Sequence, residues 1–308
     1  MVSHAPAVRV AGPRISRVGA YVALTKPRII ELLLITTLPT MILAQGGLPG
    51  VWLMVATLLG GTLAAGGANA INMYVDRDID SVMHRTRNRP LVTGSVTPAA
   101  ALAFACALEV AAFAELWRFV NLLSALLALS ATAFYVGIYT LWLKRRSSQN
   151  IVIGGAAGAV PVLVGWAAVT GSLAWPPVIL FAVIFLWTPP HFWALAIRYR
   201  EDYEAASVPM LPVVATPTRI ARNVFGYTAA LVASTIAFAP VAHMGLTYVV
   251  VAVVGGAAYL AMAGRLWILA HRSSTIEGEA MRLFGYSITY LTVLFAAMAV
   301  DVFVRRIH

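Results

Sequence analysis

Charge is scarce in this sequence and cysteine nearly missing. Only 22 Lys or Arg and 12 Asp or Glu occur among 308 residues, 11% in all, where soluble domains carry about 25%. With 60% hydrophobic residues and a mean hydropathy of +0.83, the chain does not read as an ordinary soluble protein. The same composition excludes intrinsic disorder, which needs a chain too polar to bury a core. The single cysteine, Cys106, excludes a disulfide framework, a cysteine zinc site and an iron–sulfur cluster. The net charge of +10 therefore bears on membrane topology before partners, and nothing in it indicates nucleic acid.

What is present is a series of long uncharged runs. Between Glu31 and Asp76 lie 44 residues without a charge, and further runs cover 90–108, 119–143, 147–197, 223–264 and 283–300. A helix needs about 20 apolar residues to cross a bilayer. The three longest runs are thus two spans each, divided by the turn signals Gly46-Gly47-Leu48-Pro49-Gly50, Thr170-Gly171-Ser172 with Pro176-Pro177, and Ala239-Pro240 to Gly245. The expected architecture is all-α, a polytopic membrane bundle of nine helices near 29–46, 51–75, 98–117, 119–142, 151–170, 177–197, 224–240, 246–268 and 284–303.

Orientation follows from the cations. Nineteen Lys and Arg fall before span 1 or in the loops after spans 2, 4, 6 and 8, against three, Arg118, Arg305 and Arg306, on the other side. The positive-inside rule then puts the N-terminus inside and the C-terminus outside. Residues 1–28 are basic and free of acids, and lack the apolar core of a signal peptide. They are expected to form an inner-side tail, with 29–304 as one intramembrane domain.

Most of the acids share the side of the nineteen bases. Asn72, Asp76 and Asp80 are spaced i, i+4, i+8, so on a continuing helix they line one face, drifting about 40° per step. A solvated helix end paired with arginines would explain three acids, Asp76, Asp78 and Asp80, in five residues. Asn72, inside the membrane edge on the same face, points instead to a hard cation, since Mg2+ takes oxygen ligands and commonly combines one or two carboxylates with substrate phosphates. Arg85, Arg87 and Arg89, with Lys144, Arg145 and Arg146, would meet phosphate oxygens. A second acidic group, in the run Arg198-Tyr199-Arg200-Glu201-Asp202-Tyr203-Glu204, directly follows span 6 at the same end. The layout suits an allylic diphosphate whose chain lies in the bundle.

Asn72-x3-Asp76-x3-Asp80, continuing through Arg85-Thr86 and Asn88-Arg89-Pro90-Leu91, resembles the first aspartate motif of the UbiA superfamily of intramembrane prenyltransferases. Leu24-Thr25-Lys26-Pro27, Tyr139-Thr140 with Leu143-Lys144-Arg145, Pro190-His191, Asp202-Tyr203 with Pro209 and Leu211-Pro212, and Tyr286-Ser287 resemble its haem-farnesylating branch. The likeness covers about residues 20–300. It implies transfer of farnesyl from farnesyl diphosphate to a vinyl group of haem B, giving haem O, with Mg2+ as cofactor and a haem A synthase as the partner downstream. It further implies metal and catalytic roles for Asn72, Asp76, Asp80 and Asp202, and diphosphate contacts from Lys26, Arg85, Arg89, Tyr139, Lys144, Arg145 and Arg198. One departure stands out: where many members have a second Asp-x3-Asp after span 6, this chain has Tyr199 and Tyr203 around Glu201-Asp202.

Other residues keep two readings. His191, about two turns before Arg198, either hydrogen-bonds a neighbouring helix or touches the haem, as an axial ligand or near its propionates. Glu109, in mid-span, has no role in the motif and is expected to be neutral or partnered. Gly154, Gly155 and Gly158 fit close helix packing, and Trp187 and Trp193 read as packing aromatics. The competing functions are a quinone-pathway prenyltransferase acting on a phenolic acid and an ion-coupled transporter using Asp76, Asp80 and Glu109. The expected location is a bacterial plasma membrane, with the mitochondrial inner membrane second.

Overall fold

A computed structural model describes residues 16–272 and 275–307. The part of the expected tail before residue 16 lies outside the described residues. Helices follow in the order α1 Arg17–Thr25, α2 Pro27–Gln45, α3 Val51–Val75, α4 Arg77–Val82, α5 Pro90–Thr93, α6 Pro98–Phe119 and α7 Leu122–Ala133. After α7 the chain winds as a π-helix over Phe134–Leu143. Then come α8 Asn150–Thr170, α9 Trp175–Arg198, α10 Arg200–Ala205, α11 Leu211–Val214, α12 Pro217–Val241, α13 Leu246–Arg272 and α14 Glu277–Ile307. No strand occurs among the described residues.

Among the described residues, eight helices are long and apolar enough to cross a membrane by length and composition. The remaining expected span coincides with α2, a helix of 19 residues. The spans expected at 224–240 and 284–303 begin earlier, at Pro217 and Glu277, because their polar first turns stay helical. Thr216 caps α12 through its side chain, with Pro217 at the first helical position, where its missing N–H costs nothing. The described part of the expected tail is helical: α1 packs against α3 with Ala20 and Leu24 fully buried.

Each long helix packs on the next in sequence, and α14 returns to α2, so the bundle closes into a ring. Two packing modes hold it. Buried Gly60, Ala64 and Gly67 on α3 let α6 approach closely, the arrangement that drives helix association where lipid removes any hydrophobic incentive. The second half is filled by bulk: Trp187 and Trp193 of α9, Phe238 of α12, Tyr248 and Tyr259 of α13 and Phe295 of α14 are among its largest fully buried side chains. Trp187 and Trp193 thus pack as expected.

At the end away from Asp76, Asp301 of α14 has 1% of its surface exposed. It accepts the N–H groups of Gly245 at 2.7 Å and Tyr248 at 3.4 Å, and pairs with Arg305 at 2.9 Å. It therefore caps α13 from a neighbouring helix, satisfying donors that every helix start leaves unpaired. Asp301→Ala is expected to cost about 1–3 kcal/mol, and to lower the thermal unfolding midpoint in detergent, because those amides lose their acceptor. An unchanged midpoint would show that the turn is held otherwise.

Candidate active site

The first acidic motif sits where α3 ends. The chain does not continue as one helix: Asp76 takes φ −85° and ψ 5°, and α4 starts at Arg77. The i→i−4 hydrogen bonds nonetheless persist, Asp76 N–H to Asn72 O and Asp80 N–H to Asp76 O, both at 2.9 Å. Asn72, Asp76 and Asp80 consequently stay together and are all buried.

A buried carboxylate is tolerable only when paired and hydrogen-bonded. Lys144 pairs with Asp76, Arg89 with Asp80 at 2.6 Å, and Lys26 donates to Asn72 Oδ1 at 2.8 Å. Asn72 in turn donates to Asp76 Oδ2 at 2.7 Å and to Thr140 Oγ1 at 3.1 Å. Arg145 grips Asp78 with two bonds of 2.6 Å and comes within 3.9 Å of Asp76. That fork holds the Asp78 carboxyl down to about 2. Burial, reinforced by Arg89 and Lys144, pushes the Lys26 ammonium down to about 7 against the pull of Asp76 and Asp80.

Local backbone choices make these meetings possible. Lys26 joins α1 to α2 with φ +52°, a left-handed conformation that costs a residue with a Cβ about 1–2 kcal/mol. The π-helix supplies Thr140, whose hydroxyl bonds Tyr135 O five residues back, and ends on the Lys144 N–H to Tyr139 O bond of 2.8 Å. Single π turns recur at functional sites because they re-aim side chains within a helix. Tyr139 stacks on Tyr135 at 5.4 Å and packs beside Ile79, Ile151 and Met210. Gly154 leaves the room for the Tyr139 ring.

Two of the expected residues are employed elsewhere. Asp202, expected among the metal ligands, accepts the backbone N–H groups of His84 at 3.0 Å and Arg85 at 3.1 Å. Both its oxygens are occupied in holding the loop after α4. The guanidinium of Arg85 lies 5.3 Å over the Tyr199 ring, so the tyrosines at the register of the missing second motif support this loop. Arg198 faces Glu277 at 3.9 Å and is half exposed.

Farther inside, Nδ1 of His191 lies 2.7 Å from Ser287 Oγ, which joins α9 to α14. Glu109 is partnered, accepting from Thr132 at 3.3 Å. Gly155 packs tightly against Thr188, as the small-residue reading expects, whereas Gly158 has open space. A cavity of about 400 Å³ lies at the opposite end, lined by Leu43, Trp166, His243, Arg305 and Arg306, remote from the carboxylates. Thr140, Asp78 and Ser287 carried no assigned role in the sequence. Thr140 and Ser287 stand inside quoted motif pairs, which is the only signal they give.

Does this end suit a divalent cation? Asp76 Oδ1 is buried without a hydrogen-bond partner, while Oδ2 serves both Asn72 and Lys144. Leaving a buried acceptor unpaired costs about 1–3 kcal/mol, and a bound cation would remove that cost. The donors nearby are all hard oxygens. No group of three or more metal-ligating His, Cys, Asp or Glu occurs among the described residues. The chain therefore provides part of a coordination shell, the kind completed by substrate phosphates and water.

The model of the UbiA prenyltransferase family matches residues 33–288. A protein of Frankia alni named protoheme IX farnesyltransferase is 56% identical over 285 residues, covering 92% of this chain and 98% of that protein. One of the same name from Renibacterium salmoninarum is 54% identical over 289 residues, 94% of this chain and 91% of its own length. Among solved structures, a digeranylgeranylglyceryl phosphate synthase superposes with a TM-score of 0.76 at 16% identity, covering 94% of this chain and 99% of that one. A UbiA homolog from Archaeoglobus fulgidus bound to DMAPP and Mg2+ gives 0.60 at 16% identity, covering 91% and 99%. At such identities these two superpositions bear on the fold alone.

The geometry of Asp202 generates its own test. Asp202→Ala should free the backbone at His84 and Arg85 and speed tryptic cleavage after Arg85 or Arg87 in the detergent-solubilised protein. An unchanged cleavage rate would mean the loop is held by other contacts.

Proposed function

The chain belongs to the UbiA prenyltransferase family, and we propose that the acid–base cluster at the end of α3 receives the diphosphate of its donor. The chain is a membrane prenyltransferase that transfers a farnesyl group from farnesyl diphosphate to haem. In our reading the acceptor carbon is a vinyl group of haem B and the product is haem O. The observation that carries the site assignment is the crowding of Lys26, Arg89, Lys144 and Arg145 around Asn72, Asp76, Asp78 and Asp80. Four cations meeting three acids leave positive charge over for a diphosphate.

UbiA homologs of the same fold have been solved with DMAPP or GPP and Mg2+, and in our reading a divalent metal serves diphosphate binding in this chain as well. We take it to be Mg2+, held by Asp76 and Asp80 with the Asn72 amide beside them; when bound it supplies charge neutralisation to the leaving diphosphate. The protein groups do the rest. Lys144, Arg89 and Arg145 would exchange part of their carboxylate contacts, and Lys26 its bond to Asn72, for phosphate oxygens, and these cations favour departure of the diphosphate because they are already in place. Arg85, positioned by Asp202, adds a further cation at the loop. Cleavage of the allylic C–O bond leaves positive charge on the farnesyl carbon. The stacked faces of Tyr135 and Tyr139 suit such a charge. The apolar bundle keeps water away until the vinyl carbon forms the new C–C bond. Water then adds to the resulting cation and loses a proton, leaving the hydroxyethyl group. No protein nucleophile is needed.

The protein spans the membrane several times. We place it in a bacterial plasma membrane with the carboxylate end inward, on the strength of nineteen cations at that side against three. A haem A synthase would consume its product.

With farnesyl diphosphate and Mg2+, detergent-solubilised protein should convert haem B, and not 4-hydroxybenzoate, to a product heavier by the farnesyl and hydroxyl groups. EDTA should stop the reaction. Asp76→Asn should still give a folded protein yet lose at least about 100-fold in turnover, the scale of losing one positioned electrostatic group. Prenylated 4-hydroxybenzoate with unchanged haem would overturn the acceptor assignment, and near-normal turnover of Asp76→Asn the metal assignment.

A further inference from the structure

His191 is the one imidazole set deep in the described bundle, and its surroundings constrain its chemistry closely. Both ring faces are covered: Trp187 stacks on one at 4.1 Å and 20°, Phe284 at 4.5 Å and 26°. Phe192 meets the ring edge-on at 5.1 Å. Only the ring edge is left to meet another molecule.

That edge has two nitrogens, and Ser287 decides between them. The Ser287 hydroxyl has a single hydrogen, which it donates to Phe284 O at 2.6 Å. Its oxygen, 2.7 Å from His191 Nδ1, can then only accept, so Nδ1 bears the imidazole proton. The neutral ring's lone pair is left on Nε2. Trp187 locks the same assembly by donating Nε1–H to Ser287 O at 2.8 Å. Ser287 is fully buried, so water does not compete for its hydroxyl. His191 itself keeps 8% of its surface, and Nε2 is not among the orphaned atoms sealed inside the protein.

An imidazole with Nδ1–H held by an acceptor and Nε2 left bare is the form that binds a transition metal, and the acceptor behind it raises its basicity. A residue that only tied two helices together would need neither the double aromatic clamp nor an unused lone pair. We propose that His191 ligates the haem iron of the acceptor through Nε2, and that Ser287 is the positioning residue that fixes the tautomer. The proposal rests on haem being the acceptor. Iron ligation from α9, about two turns inward from Arg198, would anchor the macrocycle deeper than the diphosphate cluster, so that a peripheral substituent rather than the metal is offered to the farnesyl carbon.

The full chain in detergent, titrated with ferric and ferrous haem B in the absence of farnesyl diphosphate, tests this by Soret absorption and the iron–imidazole stretch in resonance Raman. Wild type should show one imidazole ligand. His191→Gly should lose it and regain it with added imidazole. Ser287→Ala should weaken haem binding about 10- to 100-fold, the usual effect of removing a partner behind a metal ligand. Farnesyl diphosphate affinity should stay unchanged, and Ser287→Thr should restore the spectrum. A wild-type spectrum identical to that of His191→Gly, with haem still farnesylated, would overturn the ligation while sparing the haem reading. Haem neither bound nor farnesylated would overturn both. Equal losses of haem and farnesyl diphosphate affinity in Ser287→Ala would reduce Ser287 to a packing residue.

Discussion

A carboxylate with no exposed surface, Asp76, lies where α3 leaves the apolar bundle, and the basic end of the molecule is arranged around it. Taking such a group out of water costs several kcal/mol, recovered only through close partners of opposite charge. Lys144 provides that partner from the end of the π-helix, Asn72 adds a hydrogen bond from one turn back, and Arg145 approaches from the following loop. Elements distant in sequence are drawn together by the need to compensate one buried charge. The compensation is incomplete, since Asp76 Oδ1 has no hydrogen-bond partner and Arg145 stays 3.9 Å from it. A site whose remaining valence is left for a ligand is poised for binding at the expense of stability.

Meeting this requirement forces irregular backbone into an otherwise regular bundle. Lys26 adopts a left-handed conformation, the axis pivots at Asp76, and the segment after Ala133 widens to π geometry. All three irregularities lie at the cluster. The rest of the bundle is held by ordinary means, small residues on α3 where helices approach closely and aromatic bulk around α9. Local strain near the reacting groups is thus supported by the packed helices around it.

In the proposed arrangement the same division separates the two substrates. Charged groups gather at the membrane edge, where a diphosphate can remain hydrated on approach. The aromatic clamp on His191 lies deeper, where an apolar macrocycle is at home. An allylic cation formed between them would meet aromatic faces and hydrocarbon before it met water, which is the condition for transfer to carbon to compete with hydrolysis.

Hydrocarbon thickness and the cost of burying charge act on every residue alike, so the span positions, the basic end and the i, i+4, i+8 face of Asn72, Asp76 and Asp80 could be read from the sequence alone. So could the family, through short motifs whose residues are adjacent in the chain. Pairing is a different matter, because it depends on which side chains arrive from other helices. Nothing along the chain reveals that Asp202 spends both oxygens on the loop at His84 and Arg85, that Arg198 turns to Glu277, or that a π-helix brings Thr140 to Asn72. Nor could the tautomer of His191 be read without Ser287, 96 residues away. Composition and periodicity determined where the polar groups must lie. Only the packing of nonlocal helices decided which of them were left with a lone pair to offer.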